Sequence, residues 1–395
     1  MRILFLSAWF PFPTNNGSKL RIYNLLRALA QEHTLSLISF ADQPGIDPDA
    51  PEVRALCADV QLVPVHYFDP TSLRARLGFF HLKPRSVVDT VSPEMAACIQ
   101  HTLRANAYDL IIASQTRMAG YAPYFGGVPA LFEEMEVGII YEEYAAAQTL
   151  RQRLRYGLTW AKHRHYLRGL LPAFRAGTVV SEPEQRFFRQ AIATKGERIE
   201  VIPNALDVAI YRPFWREAQP DSLIYTGSFS YFPNYEAMLW FIDQVLPLIA
   251  QAAPAVKLLI TGNRAERPLP PSPHVDHLGF VDDVRPHVAN AWISLAPIWT
   301  GGGTRLKILE AMALRAPVVA TSKGAEGIAA EPGRHLLIAD TPQAFAEAVL
   351  RLLGDPALRQ TLAENAYQLV SEQYDWTAVS PHFLNLVNSI SHASD

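Results

Sequence analysis

Residues Ile293–Thr321, ISLAPIWTGGGTRLKILEAMALRAPVVAT, leave the chain few architectures. Ile293–Ala296 is an apolar run of strand length, broken by Gly301, Gly302 and Gly303. Thr304–Leu314 then brings Leu306, Leu309 and Ala313 onto one face among good helix formers. Pro317 opens a second β-branched run at Val318 and Val319. Strand, glycine loop, helix and strand form the unit of an open α/β sheet, whose ligands sit beyond the carboxyl ends of the strands. Glycines let backbone approach a ligand, and the unpaired N–H groups of a first helical turn, here Thr304 to Leu306, favour an anion. Arg305 and Lys307 add cations where the helix dipole prefers acids. The ligand expected therefore carries more negative charge than the dipole alone would handle, as a diphosphate does.

Glu310 lies in the otherwise apolar ILEAMAL run, one turn past Lys307. Two readings stand: an ion pair with Lys307 on a solvated face, or a carboxylate accepting hydrogen bonds from a ribose or sugar diol behind the phosphates.

GGGTRLKILEAMALRAPVVAT, followed by Gly324, Glu326 and Gly327, resembles the donor-site block of the retaining GT-B glycosyltransferases of family 4 (group 1). That family moves sugars from nucleotide-sugar donors without a bound metal. The resemblance implies an α/β fold of two Rossmann-like, doubly wound domains facing across a cleft. It implies Glu310, Lys307 and Arg305 as the catalytic groups, and Gly301, Gly302, Gly303, Thr304 and Leu306 around the donor phosphates. Glu326 would lie near the diphosphate and sugar. The family signature usually carries a further glutamate where Gly302 stands here, a departure shared by branches with glycines there and a lysine in the first helical turn.

Earlier in the chain, strand Arg2–Ser7 runs through a loop to Gly17 and a helix from about Ser18 to Gln31. By the resemblance this loop faces donor phosphates and acceptor, with Gly17 beside the phosphates and Lys19 and Arg21 as phosphate or acceptor contacts. Solvated helix charges are the other reading of Lys19 and Arg21. Further strands are expected at Thr34–Phe40, Val60–Val65, Asp109–Ala113 and Pro129–Phe132, alternating with helices as in a parallel sheet. The family often has a histidine after the last of these, but none occurs between His101 and His163. Glu133, Glu134 and Glu136 stand there instead, and Glu134 or Glu136 either serves the acceptor as a polar or acid/base group or sits in a solvated loop.

The run Ile202-Pro203-Asn204-Ala205-Leu206-Asp207 resembles the family's interdomain hinge. Domains are expected at 1–203 (acceptor-binding) and 221–374 (nucleotide-sugar-binding), with a linker at 204–220 and a helix at 375–395 crossing back. In the second domain Gly227 follows a strand, and related enzymes place an arginine and a lysine along its loop. Ser228 and Asn234 occupy those positions, and Arg305 and Lys307 are expected to supply the missing cations, which would explain why the later loop is unusually basic. His277–Val281 resembles the segment whose backbone reads the nucleotide base, at Gly279, Phe280 and Val281.

Composition narrows the alternatives. A length of 395 residues is comfortable for two domains, and 49% hydrophobic against 18% charged residues describes a filled core. A net charge of -3 gives no footing for nucleic acid. Cys57 and Cys98 form no disulfide framework or metal knuckle, no metal-ligand spacing is evident, and MRILFLSAWFPFP reads as a first strand rather than a signal sequence. A cytoplasmic chain with no metal or other cofactor is expected. Residues 151–170 carry six Arg or Lys, two His and no acid, interleaved with Leu, Tyr and Trp, and 72–88 has a similar cast. Both suit a solvated basic face or peripheral contact with an anionic membrane at its inner face.

The function expected is sugar transfer from a UDP- or GDP-sugar to a glycan, lipid-linked or small-molecule acceptor, in cell-envelope polysaccharide or glycolipid synthesis. A sugar-nucleotide epimerase of the same fold and a non-catalytic nucleotide-sugar binder are the rivals. A nicotinamide dehydrogenase lacks its G-x-G-x-x-G after the first strand.

Overall fold

In the computed structural model of the chain the residues described are 1–136, 138–193, 196–301 and 305–391. They divide into two compact units, Met1–Pro203 with Ser380–Asp395, and Asn204–Val379.

Seven strands are described in the first unit: β1 (Arg2–Ser7), β2 (Thr34–Ala41), β3 (Asp59–Pro64), β4 (Leu110–Ser114), β5 (Ala130–Glu133), β6 (Ala176–Val179) and β7 (Ile199–Val201). They pair in parallel in the order β3-β2-β1-β4-β5-β6-β7. The chain order reverses between β1 and β4, the switch point at which such sheets open a ligand crevice. Ile3, Leu4, Phe5 and Leu6 of β1 are fully buried, as both faces of a parallel strand require. The helix after β1 is Gly17–Leu29, begun by the Asn16 side chain, which accepts from the Lys19 N–H at 3.0 Å. Gly17 is thus the first helical residue.

The second unit repeats the plan with β8 (Gln219–Thr226), β9 (Lys257–Thr261), β10 (Val275–Gly279), β11 (Ala291–Ala296), β12 (Val318–Ala320) and β13 (Leu337–Ile338). Among the described residues they pair in parallel in the order β10-β9-β8-β11-β12-β13, with the reversal between β8 and β11. The helix expected from Tyr235 to Gln251 is interrupted. Phe232–Trp240 and Leu246–Ala252 are joined by a π-turn at Phe241–Val245, because Pro247 has no N–H for the helical ladder. Residues 204–220 contain a 3₁₀ helix, Val208–Phe214. Its Tyr211 is buried, and Trp215 just beyond donates through its indole N–H to the Ala313 carbonyl at 3.0 Å.

The basic stretch 72–88 is not one helix. A short helix Leu73–Leu77 runs into a 3₁₀ turn Gly78–Phe80, and a second helix follows at Arg85–Thr90. The buried Asp89 carboxylate ties them together, accepting from the Ser72 hydroxyl and, at 2.9 Å, from the Asp69 N–H. Among the described residues no helix is long and apolar enough to cross a membrane.

Candidate functional site

In the second unit the carboxyl ends of β8, β9 and β11 converge on the start of helix Leu306–Ala313. Gly227 follows β8 with a φ of +151°, and a Cβ there would meet the Asn234 amide nitrogen at 2.7 Å. Gly262 follows β9, and its Cβ would stand 2.5 Å from the Gly227 carbonyl carbon. These two turns can pack together only as glycines. The Asn234 amide donates to the Ser228 carbonyl at 2.8 Å, which shapes the loop, while the Ser228 hydroxyl turns to Ser230 at 3.1 Å.

Lys307 is the centre of the arrangement. Its amine donates to the Tyr225 hydroxyl and to Asn234 Oδ1, each at 3.0 Å, and stands 4.0 Å above the Tyr225 ring. The Tyr225 hydroxyl itself donates to Asn234 Oδ1 at 2.8 Å. Among the described residues Lys307 has no carboxylate ion-pair partner. Burial, then the neighbouring Arg305 charge, push the ammonium down to about 7. Arg305 caps the helix rather than lying inside its first turn, and its guanidinium donates to the Thr300 carbonyl at 3.3 Å and to that of Gly301. Leu306 opens the helix, part-buried. Gly301 has a φ of +93°, a backbone open to glycine. Gly302, Gly303 and Thr304, expected on the phosphates, lie outside the described residues.

Glu310 corrects one expectation. It does not pair with Lys307 on a solvated face: it is part-buried, and its carboxylate accepts from the Tyr211 hydroxyl at 3.2 Å. Burial raises its carboxyl above the ordinary value, against the Tyr211 hydrogen bond and the Lys307 charge. The segment expected to read the base ends β10 with Gly279 at φ +78°, whose carbonyl accepts from the Gly262 N–H at 2.7 Å. Phe280 beyond it is 73% exposed, and Val281 is half-buried. The Glu326 carboxylate pairs with Lys323, and the Glu326 N–H goes to the Lys323 carbonyl at 3.4 Å. The N–H and carboxylate of Glu326 are therefore engaged within their own turn.

In the first unit the solvated reading of Lys19 and Arg21 fails. Lys19 is buried against Asp42 at 2.8 Å, a carboxylate just past β2 that also accepts from the Phe10 N–H at 2.7 Å. Arg21 pairs with the buried Glu133 at 2.7 Å and donates to the Ile202 carbonyl at 3.0 Å. Glu133 is a strand residue, not part of a loop, and its second oxygen accepts from the Ser114 hydroxyl at 2.7 Å. Both cations hold the switch-point loops together.

Glu134 differs from its neighbours. Its φ is +54°, in the left-handed region that non-glycine residues seldom enter, and its N–H donates to Thr178 Oγ1 at 2.9 Å. The Gln115 amide donates to its carboxylate at 3.0 Å while the Gln115 carbonyl oxygen accepts from the Trp9 indole N–H at 3.0 Å. Gln115 is itself left-handed, at φ +69°. Two residues in the left-handed region are thus joined by a hydrogen bond at the carboxyl edge of β4 and β5. Desolvation, then the Glu133 charge, raise the Glu134 carboxyl well above the ordinary carboxylate range. Glu136 is exposed on the surface. Gln115 and Trp9 had no sequence signal, since neither sits in a glycine- or charge-marked motif. Among the described residues no group of three His, Cys, Asp or Glu could hold a metal ion.

Residues 220–355 match the family model described as glycosyl transferases group 1. A 44.6 kDa protein in the cps region of Klebsiella pneumoniae is 26% identical over 39% of this chain and 42% of its own length. The chain spans less than half the length of the curated relatives it matches. Among solved structures, sucrose-phosphate synthase from Thermosynechococcus elongatus superposes with a TM-score of 0.73 at 17% identity, covering 100% of both chains. Anabaena HepE in complex with UDP and glucose gives 0.67 at 17% identity, over 98% of this chain and 100% of that one. A glycosyl transferases group 1 segment at 220–355 thus sits in a chain with the GT-B fold, two Rossmann-like parallel α/β units.

Proposed function

We propose that this chain is a retaining glycosyltransferase of family 4, moving a hexose-type sugar from a nucleoside-diphosphate sugar to a glycan, lipid-linked or small-molecule acceptor without a metal. The observation that carries the reading is the Lys307 amine: part-buried, hydrogen-bonded among the described residues to the neutral Tyr225 hydroxyl and Asn234 Oδ1, and set at the start of the helix after β11. A cation so placed, next to Arg305 and the unpaired N–H groups of that helix, is half of an ion pair whose other half is a diphosphate. The family match over 220–355, the UDP held by Anabaena HepE and the cps-region relative favour a sugar-nucleotide donor and an envelope polysaccharide or glycolipid product.

In this mechanism the bond between the anomeric carbon and the diphosphate oxygen breaks. The acceptor oxygen bonds to the same face of that carbon and gives its proton to the departing phosphate. Lys307, Arg305 and the helix N–H groups stabilise the charge that develops on the diphosphate. Glu310, whose carboxylate accepts from Tyr211, also accepts a hydrogen bond from a hydroxyl of the donor sugar or ribose. The test is incubation with UDP- and GDP-sugars and an acceptor panel, reading nucleoside diphosphate released and the anomeric configuration of the product. Inverted product removes the retaining mechanism. An epimerised donor, or donor binding with no transfer to any acceptor, replaces the transferase with one of its two rivals.

A further inference from the structure

We propose that the face formed by residues 72–83 and the helix Leu150–Leu170 docks the chain on an anionic lipid bilayer, an inference that does not depend on the transfer reaction. The two stretches, distant in sequence, meet in the first unit. Lys162 donates to the Phe79 carbonyl at 2.6 Å and to that of Gly78 at 3.3 Å, with its amine 5.5 Å from the Phe79 ring centre. Lys83 lies 5.9 Å over the ring of Tyr166, one turn further along the same helix. The 3₁₀ turn is therefore clasped against the helix, and its side chains project outward.

Those side chains are large and apolar. Phe80 is 87% exposed and Leu73 72%, and Phe79 packs edge-on against Phe80 at 5.5 Å. Leu150, Leu154 and Leu158 follow at one-turn intervals leading to Lys162, the first two 75% and 68% exposed. Residues four apart on a helix are neighbours, so this row continues the apolar surface of the turn. Isolated exposed leucines are ordinary, but a joined patch of this kind marks an interaction site.

Charge decides the occupant. Arg74, Arg76, Lys83, Arg151, Arg153 and Arg155 are exposed around the apolar side chains, and neither 72–83 nor 150–170 contains an acid. Of the acids on packed elements, Asp89 is buried with its carboxylate accepting from the Ser72 hydroxyl, Glu94 lies close enough to Arg74 to feel its charge, and Glu142 and Glu143 belong to the helix Gly138–Ala145, whose Tyr144 lies against Gly157. A second copy of the chain using the same face would bring like charges together. Aromatic and leucine side chains that insert at the headgroup level, ringed by cations that meet anionic headgroups, are the requirements of a bilayer surface. The two stretches hold nine of the chain's 35 Lys and Arg and none of its 38 Asp and Glu.

The experiment is flotation of the full chain with vesicles of phosphatidylcholine alone or mixed with phosphatidylglycerol, across a salt series. Light scattering in solution runs alongside. Wild type is expected to float with the anionic vesicles, less so as salt rises, because surface attraction decays within a Debye length. Arg151→Glu with Arg153→Glu and Arg155→Glu should lower partitioning about tenfold or more at low salt. Phe79→Ser with Phe80→Ser and Leu82→Ser should abolish the binding that survives high salt. All six positions are exposed, so melting temperatures should match wild type, and a variant that melts early is replaced by Leu154→Ser alone. Wild type that floats with neither vesicle overturns the proposal. So does flotation unaffected by either set of substitutions, or a dimer that the apolar substitutions make monomeric in the absence of any flotation.

Discussion

The Lys307 amine stands 3.0 Å from Asn234 Oδ1, although the two residues belong to different strand–helix units of the second sheet. By the resemblance read from the sequence, position 234 is where related enzymes often carry a cation; here an amide occupies it, and a lysine from the later helix reaches that amide. Replacing Asn234 by Asp would give that amine a fixed counter-ion. Asn234→Asp should therefore weaken nucleoside diphosphate binding about tenfold or more, since the diphosphate must displace a charge-assisted hydrogen bond. Calorimetry with UDP and GDP checks it, and unchanged affinity would remove Lys307 from the phosphate site.

Lys307→Ala should also weaken that binding, by about 1.5–3 kcal/mol. Burial and the Arg305 charge hold the Lys307 ammonium at about 7, and a diphosphate bound beside it would raise it. Binding at and above neutral pH is thus expected to take up a proton, with affinity falling as pH rises through this range. Titration heats measured in two buffers of different ionisation enthalpy must then differ. Identical heats would contradict the assignment.

Glu134 carries a cost that depends on pH. Its carboxyl is raised above the ordinary 4.5, so between that value and its folded value the native chain holds a proton that the unfolded chain has released. Stability therefore declines as pH rises through this window, and recovers as pH falls below it. Glu134→Gln should be more stable than wild type at neutral pH by about 1–2 kcal/mol and equal to it near pH 4. Paired melting curves at the two pH values decide this, and a loss of transfer alongside the gain in stability would place Glu134 at the acceptor.

Arg21 and Glu133 form a buried pair at 2.7 Å. Glu133→Gln removes the carboxylate that pairs with the buried guanidinium and should cost about 3–5 kcal/mol, read as a lower urea midpoint. A midpoint within error of wild type would mean that the pair is dispensable to the switch-point loops.

Chelation should leave sugar transfer intact, because the proposed chemistry neutralises the leaving group with Lys307, Arg305 and backbone N–H groups. Turnover lost in chelator and restored by Mg²⁺ or Mn²⁺ would replace that scheme with a metal-assisted one.

Sequence alone located most strands of the two sheets and the helix after Ile293–Ala296, expected from Thr304 and described from Leu306, because apolar runs, glycine breaks and helical periodicity act over a few residues and leave a local record. It also marked Lys307 and Glu310 as unusual, since charges in an apolar run are visible without coordinates. Tertiary structure decided what those charges touch. Lys307 was open to pairing with Glu310 on periodicity, yet packing of β8 against β11 presents Tyr225 and Asn234 to its amine and leaves Glu310 to Tyr211. Lys19 and Arg21 read equally well as solvated or ligand-binding, and only the parallel pairing that brings Asp42 and Glu133 beside them shows that both are buried ion pairs. Gln115 and Trp9 were invisible because their importance lies in a backbone turned left-handed and a hydrogen bond spanning 106 residues of chain. Local pattern records which side chains face a core, but the partners of a buried charge are set by strand order, which joins residues that pattern does not link.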